Sequence, residues 1–399
     1  MEELASRPYL LAHSSPKEGR HETNDASSRP VYPILVPESR LCAVQPSRGG
    51  EHRASLLDGQ APADRTAAVH GLYARVLDAG RHLAGPQQAA RRDRGAAVEV
   101  SAVGGCDEGT ADSCGVDIKT VHRFQRVAAP RAQAHHEQVT RDLEVKGVQV
   151  DEMHSKRRGP RVEWLHTAIA MSSRFLLWVH WGPRTQESAA LLIAQVVARL
   201  CRVPVWLSDG WKAYPVALLQ VLGRVYQRCR RGTRGRHPKP RLVPPRELFY
   251  GQVVKVRDAT GNLLHVVSRV VYGGPRRFFR EMERRGLGAT IHTAFMERWY
   301  GTLRGLCAPL RRRTRCGSSS QSRHHARVWL LVDLYNFVLP HKSLRQQGQP
   351  RTPAMVIGLA AHVWSYRDYI WYPVHPDPLG RQLMQQRVKA LLIPALQAG

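Results

Sequence analysis

Three carboxylates stand where the chain pattern would let them meet. Asp151 follows a run of valines (Val145, Val148, Val150), Asp209 closes the apolar run Val203–Leu207, and Glu297 lies in the periodic stretch Phe295, Met296, Tyr300, Leu303, Leu306. Carboxylates at strand ends project into the crevice that open sheets use for ligands. Hard divalent cations such as Mg²⁺ take a few carboxylate oxygens and keep several waters. Two such ions roughly 3.5–4 Å apart can activate an attacking oxygen and stabilise a leaving one in phosphodiester chemistry. Without a cation, clustered carboxylates repel and raise one another's pKa. Each acid also has an ordinary alternative. Asp151 and Glu152 suit a solvated strand end, Asp209 the N-cap of a following helix, and Glu297 a surface partner of Arg298.

The elements needed to hold such a site are legible. Val145–Val150 reads as a short strand, and Trp164–Ala170 and Phe175–Trp181 as two more, joined by a turn at Ser172–Ser173–Arg174. Glu187–Leu200 is a helix with Ala190, Ile193, Val197 and Leu200 on one face, and Val203–Leu207 is a buried strand ending at Ser208–Asp209–Gly210. Three strands, a helix and a fourth strand is the opening order of an α/β, RNase H-like (integrase-type) mixed sheet flanked by helices, its first three strands antiparallel. Gln252–Arg257 and Leu264–Val271 flank Gly261–Asn262 as a hairpin, and Thr352–Pro353 starts a late helix.

Upstream, residues 1–95 are a poorly ordered basic leader, rich in Pro, Ser, Arg, Gly and Ala, with a helical hint only at Leu72–Leu83. Asp117 can N-cap a helix through Thr120, Val121, Phe124 and Val127, with Val116 and Val121 as a hydrophobic staple. Lys119, His122, Arg123 and Arg126 fall largely on its other faces, which suits the second helix of a helix-turn-helix. The expected organisation is a leader (1–95), a helix-turn-helix-like DNA-binding segment (96–140), a catalytic core (141–345) and a C-terminal helical tail (346–399).

Composition points to a polyanionic partner. Lys plus Arg number 60 against 32 for Asp plus Glu, a net charge of +28, and each neutralised phosphate releases condensed counterions. Arg outnumbers Lys, favouring forked contacts to phosphate oxygens. The Pro-rich connection Arg228–Arg246 reads as an exposed basic loop. The seven cysteines contain no C-x-x-C pair, which speaks against both a disulfide framework and a zinc knuckle. Glu2 and Glu3 precede no apolar h-region, and Trp164–Trp181 is broken by His166 and Arg174, so neither a signal peptide nor a membrane span is expected. A cytoplasmic, nucleoid-associated protein is the expectation. The aromatic strand faces of single-strand RNA binders are not evident.

The motifs carry a resemblance. Val150–Asp151–Glu152–Met153–His154–Ser155–Lys156 resembles the V-D-E-x-x-x-K opening of DDE transposases of bacterial insertion sequences, and Leu207–Ser208–Asp209–Gly210–Trp211–Lys212–Ala213–Tyr214 their S/T-D-G-W-x-x-Y motif. Phe295 through Arg304 is similar to their E-R-x-N-x-T-L-R helix, continued by Arg311–Thr314 as R-R-x-T. Tyr335–Asn336–Phe337, Pro340–His341, Leu344–Arg345, Thr352–Pro353–Ala354–Met355 and Gly358–Leu359 resemble the closing Y-N-F…P-H-x-S-L…T-P-A-M…G-L segment. The matches keep the family's order over roughly residues 115–370.

The resemblance implies that Asp151, Asp209 and Glu297 hold two Mg²⁺ or Mn²⁺ ions. One would activate water to nick the element end, then the freed 3′-OH to attack target DNA. Lys119, Arg123, Arg126, Arg298, Arg304, Arg311, Arg312 and Arg313 would contact double-stranded DNA, and a homo-oligomer is compatible with that role. In helical register Glu297, Gly301 and Arg304 share one face, and Gly301 leaves room for a backbone. Trp211 and Tyr214 pack the second motif or stack on an unpaired base. Tyr300 stands where the family has Asn, and the paired N-terminal cysteines of relatives are missing. These departures favour a leader read out of frame or decayed. They also keep open a decayed transposase that binds DNA without cutting, beside an RNase H-like nuclease.

Overall fold

The computed structural model describes residues 111–112, 115, 117–156, 162–228, 239–314, 317–318 and 320–393. The expected leader, the first part of the helix-turn-helix segment and Val116 of the staple lie outside the described residues. The core is a mixed six-stranded sheet flanked by helices, in the order β3-β2-β1-β4-β7-β8. Its strands are β1 (Gly147–Lys156), β2 (Val162–Ala170), β3 (Leu176–Gly182), β4 (Val205–Asp209), β7 (Phe249–Arg257) and β8 (Leu263–Tyr272). β1, β2 and β3 pair antiparallel, β1–β4 and β4–β7 are parallel, and β7–β8 is an antiparallel hairpin. A ribbon of β5 (Arg224–Tyr226) and β6 (Arg241–Val243) lies apart from it. The hairpin turns at Gly261 (φ +88°), and Asp258 accepts from Asn262 N at 2.7 Å.

Helices α2 (Gln186–Val197) and α3 (Ala213–Leu222) cover one face, where Val148, Val150 and Trp206 join Leu192, Ile193 and Leu218 in the main core. On the other side Val205, Leu207, Phe249 and Val253 pack against Phe278 and Met282 of α4 (Pro275–Arg284). Helix α5 (Ala294–Leu306) crosses β1 and β2 and leads into a 3-10 turn at Ala308–Leu310. No helix among the described residues is long and apolar enough to cross a membrane.

The expected DNA-reading helix has a different setting. Asp117 does cap it, accepting from Lys119 N, but α1 (Ile118–Val139) runs 22 residues and packs lengthwise on α6 (Gln321–Phe337). Its buried stripe is Val121, Gln125, Ala128, Ala132, His135 and His136, a helical repeat that excludes Val127, which is 66% exposed. The C-terminal region also departs from a purely helical tail. Residues around position 345 form a hairpin, β9 (His341–Gln346) with β10 (Gln349–Arg351), and the Thr352-capped helix α7 (Pro353–Val356) is one turn long before Gly358 takes φ +85°. Helices α8 (Tyr366–Trp371) and α9 (Pro378–Leu392) follow. Ala354, Trp364, Tyr369 and Val388 join the same core as the sheet, as do Ala132 of α1 and Leu331 of α6. The packing therefore has no break at 140 or 345.

Asp333, fully buried in α6, fastens α1 to the core. It lies 2.8 Å from His135 Nδ1 and 3.5 Å from His136 Nδ1, and accepts from the Tyr369 hydroxyl at 3.2 Å. Burial alone would raise its pKa, but the charge and hydrogen bonds of His135 and His136 outweigh that and hold it below the usual 3.8. A carboxyl depressed on folding contributes stability that is complete above its unfolded value and is lost as pH falls through the folded one. The urea midpoint is therefore expected to drop below about pH 4, and Asp333→Asn should flatten that acid limb. An unchanged acid limb in the variant would remove Asp333 as its source.

Candidate functional site

Sheet register places the first two acids. Val150 pairs with Ser208 across parallel β1 and β4, so Asp151 and Asp209 come next to each other, one residue further along. In β1 the side chains alternate. Val148, Val150 and Glu152 face α2 and α3, and Gln149 and Asp151 face α5. Gln149 fixes that helix: α5 has no side-chain cap of its own, and the buried Gln149 Oε1 accepts from Phe295 N and Met296 N at 3.2 and 3.3 Å while its Nε2 donates to His292 O at 2.7 Å. One turn on, the Tyr300 hydroxyl donates to the Asp151 carbonyl at 2.7 Å. Tyr300 thus bolts α5 to β1.

Asp151, Glu152 and Asp209 offer ligand oxygens within 4.8 Å of one another, a group that could hold a metal ion. Glu152 had read as a solvated strand end, yet it is buried and occupied on both oxygens. Arg184 donates to Oε1 from Nε (2.8 Å) and Nη2 (2.7 Å), and the buried Tyr214 hydroxyl donates to Oε2 at 2.8 Å. Asp151 Oδ1 accepts from Glu152 N and Asp209 Oδ1 from Trp211 N, which leaves Oδ2 of each without a protein partner among the described residues. The donor set is all oxygen, as Mg²⁺ or Mn²⁺ prefers.

The electrostatics match. Burial, then Asp209 and Glu152, push the Asp151 carboxyl well above its usual range, with a smaller contribution from Glu297. Burial raises Asp209 against the pull of Trp211 N, Arg184 and Lys255, and burial with Asp209 pushes Glu152 up to about 7 despite Arg184 and Tyr214. Three carboxylates crowded this way favour a bound cation.

Glu297 sits in the first turn of α5, outside the 4.8 Å group, 61% exposed and 3.5 Å from Lys255 Nζ. It shares a flank of the helix with Tyr300 and Arg304, and open space lies over Gly301. Arg304 is lowered by burial and by Arg312 and raised by Tyr300 and Asp151, so the Arg304–Arg312 pair borders the acids. Arg311, which donates to Gly305 O, and Arg313 lie on the exposed segment beside them. Arg298 points instead toward Arg174, Tyr335 and His341. Lys119, Arg123 and Arg126 line a cavity of about 630 Å³ between α1 and α6 that also holds Arg323 and His325. Tyr214 is wholly buried, and Trp211 meets it edge-on and stacks on His166, so both pack the second motif.

Arg184, Lys255 and Gln149 were not singled out from sequence. Only Gln149 left a trace, as the residue two before Asp151 on the same strand face. No protein-family model matches the chain, and no curated protein matches it.

Proposed function

We propose that the chain is a metal-dependent DNA strand transferase of the DDE transposase type. The observation that carries this reading is the pair of unpartnered carboxylate oxygens on Asp151 and Asp209, held side by side by parallel strands. The strand order β3-β2-β1-β4, antiparallel then parallel, is compatible with an RNase H-like core. Asp151 and Asp209 are the expected ligands for Mg²⁺ or Mn²⁺, with Glu297 on the flanking helix as the third. Bound divalent ions supply charge stabilisation for an attacking and a leaving oxygen. Arg304 and Arg312 would grip the phosphate, and Tyr300 would keep α5 in place. Lys255 would release Glu297 as substrate and cation enter.

The test is nicking of supercoiled plasmid by the purified chain with Mg²⁺ or Mn²⁺ and with chelator. Cation-dependent open circles are expected, and equal nicking in chelator would overturn the reading. One observation favours a second reading, DNA binding without cutting: Glu297 is exposed and paired with Lys255 rather than gathered with the other acids.

In both readings the α1–α6 groove, lined by Lys119, Arg123 and Arg126, follows a phosphate backbone. Each phosphate contact contributes a slope of about −0.9 to log K against log salt for duplex DNA. Arg123→Gln with Arg126→Gln is therefore expected to flatten that slope by roughly 1.8, read by fluorescence anisotropy. An unaltered slope would remove the groove from the interface.

A further inference from the structure

We infer that Arg174, Arg298, His292 and His341 form a phosphate-binding site between the β2–β3 turn and the start of α5. The inference rests on the DNA reading above for its ligand, a backbone phosphodiester.

The site is assembled around two rings. Arg174 lays its guanidinium 3.2 Å from the centre of the Phe295 ring, and His292 meets the same ring at 4.9 Å. Arg298 lies one helical turn after Phe295 and next to Trp299, whose indole packs edge-on against Tyr335 at 4.8 Å. His341 closes the group, 4.4 Å from Tyr335. Among the described residues, no carboxylate pairs with either guanidinium. Glu297, the sequence neighbour of Arg298, is turned to Lys255.

Two features suggest that this gathering serves a ligand. Arg174 holds a left-handed backbone, φ +61°, in the β2–β3 turn, a conformation costly for a long side chain and concentrated at functional sites. The basic groups also oppose one another. Burial, then Arg298 and Arg174, push His341 down to about 4, burial with the same kind of repulsion lowers His292, and burial with Arg298 brings Arg174 down to about 10. A bound anion relieves the repulsion between Arg174 and Arg298.

The position suits a DNA strand. Ala170, just before the Arg174 turn, pairs with Val148, three residues from Asp151 along β1. That is about 10 Å between the two backbone positions at the strand rise, a separation that a DNA strand of a few nucleotides spans.

The experiment titrates the full chain, as wild type, R174N and R298Q, with a fluorescent duplex oligonucleotide across a salt series. Asn tolerates the left-handed region, so R174N keeps the turn, and R298Q changes an exposed helical position. Each variant is expected to bind about tenfold more weakly and to flatten the salt slope by roughly 0.9 at an unchanged melting temperature. Both variants matching wild type in affinity and slope overturn the site. In a second arm, inorganic phosphate should raise the melting temperature of wild type more than that of R174N. That differential without any oligonucleotide binding keeps the anion site and removes the DNA reading.

Discussion

Asp151→Asn is expected to lower cation-dependent nicking by about 10³-fold or more and, in chelator, to make the protein more stable than wild type. Both effects come from one charge. Burial, then Asp209 and Glu152, raise the Asp151 pKa well above 3.8. A carboxyl raised on folding destabilises the fold increasingly as pH climbs above its unfolded value. At neutral pH the Asn amide removes that cost, and its carbonyl can still accept from Glu152 N, as Oδ1 does at 2.8 Å. A gain of about 1 kcal/mol corresponds to roughly 2–4 °C in melting temperature for a domain of this size. Saturating Mg²⁺ should reverse the ranking, because a ligand that binds only the folded state stabilises it. A variant that nicks like wild type would take Asp151 out of the chemistry. A variant less stable in chelator would mean that its carboxylate is satisfied without a cation.

Tyr300→Asn, which restores the residue found in the family that the motifs resemble, is expected to cost about 3–4 kcal/mol. Tyr300 is 4% exposed in the main core and its hydroxyl reaches the Asp151 carbonyl. Asn fills neither the volume nor the reach, leaving a cavity and a freed helix. Tyr300→Phe keeps the volume and should cost only about 1–2 kcal/mol. Urea unfolding reads both changes. Nicking should follow the same order, because Glu297 lies one turn before Tyr300 and loses its bearing when α5 loosens. A Tyr300→Asn protein as stable as wild type and more active would make the tyrosine a lesion rather than a bolt.

The secondary structure of the sheet and the helices near the site was legible because local pattern determines it. Valine alternation before Asp151, the apolar runs at Trp164–Ala170 and Phe175–Trp181, and Gly261–Asn262 between two strands each describe an element whose buried face lies within a few residues. The parallel placement of Asp151 beside Asp209 was inferable in kind, since acids at strand ends share a crevice. The full length of the basic helix was hidden for a related reason. A stripe sampled only to Val127 cannot reveal that the helix runs on to Val139, where His135 and His136 meet Asp333.

What sequence alone determined, then, were strands, helices and two of the acids, because those follow from periods of two and 3.6 residues. Tertiary structure decided who meets whom. Gln149 caps a helix 145 residues downstream, Arg184 neutralises Glu152, Lys255 draws Glu297 aside, and Arg174 joins Arg298 across an aromatic ring. Such contacts depend on the closure of long loops, whose partners carry no short-range mark in the chain.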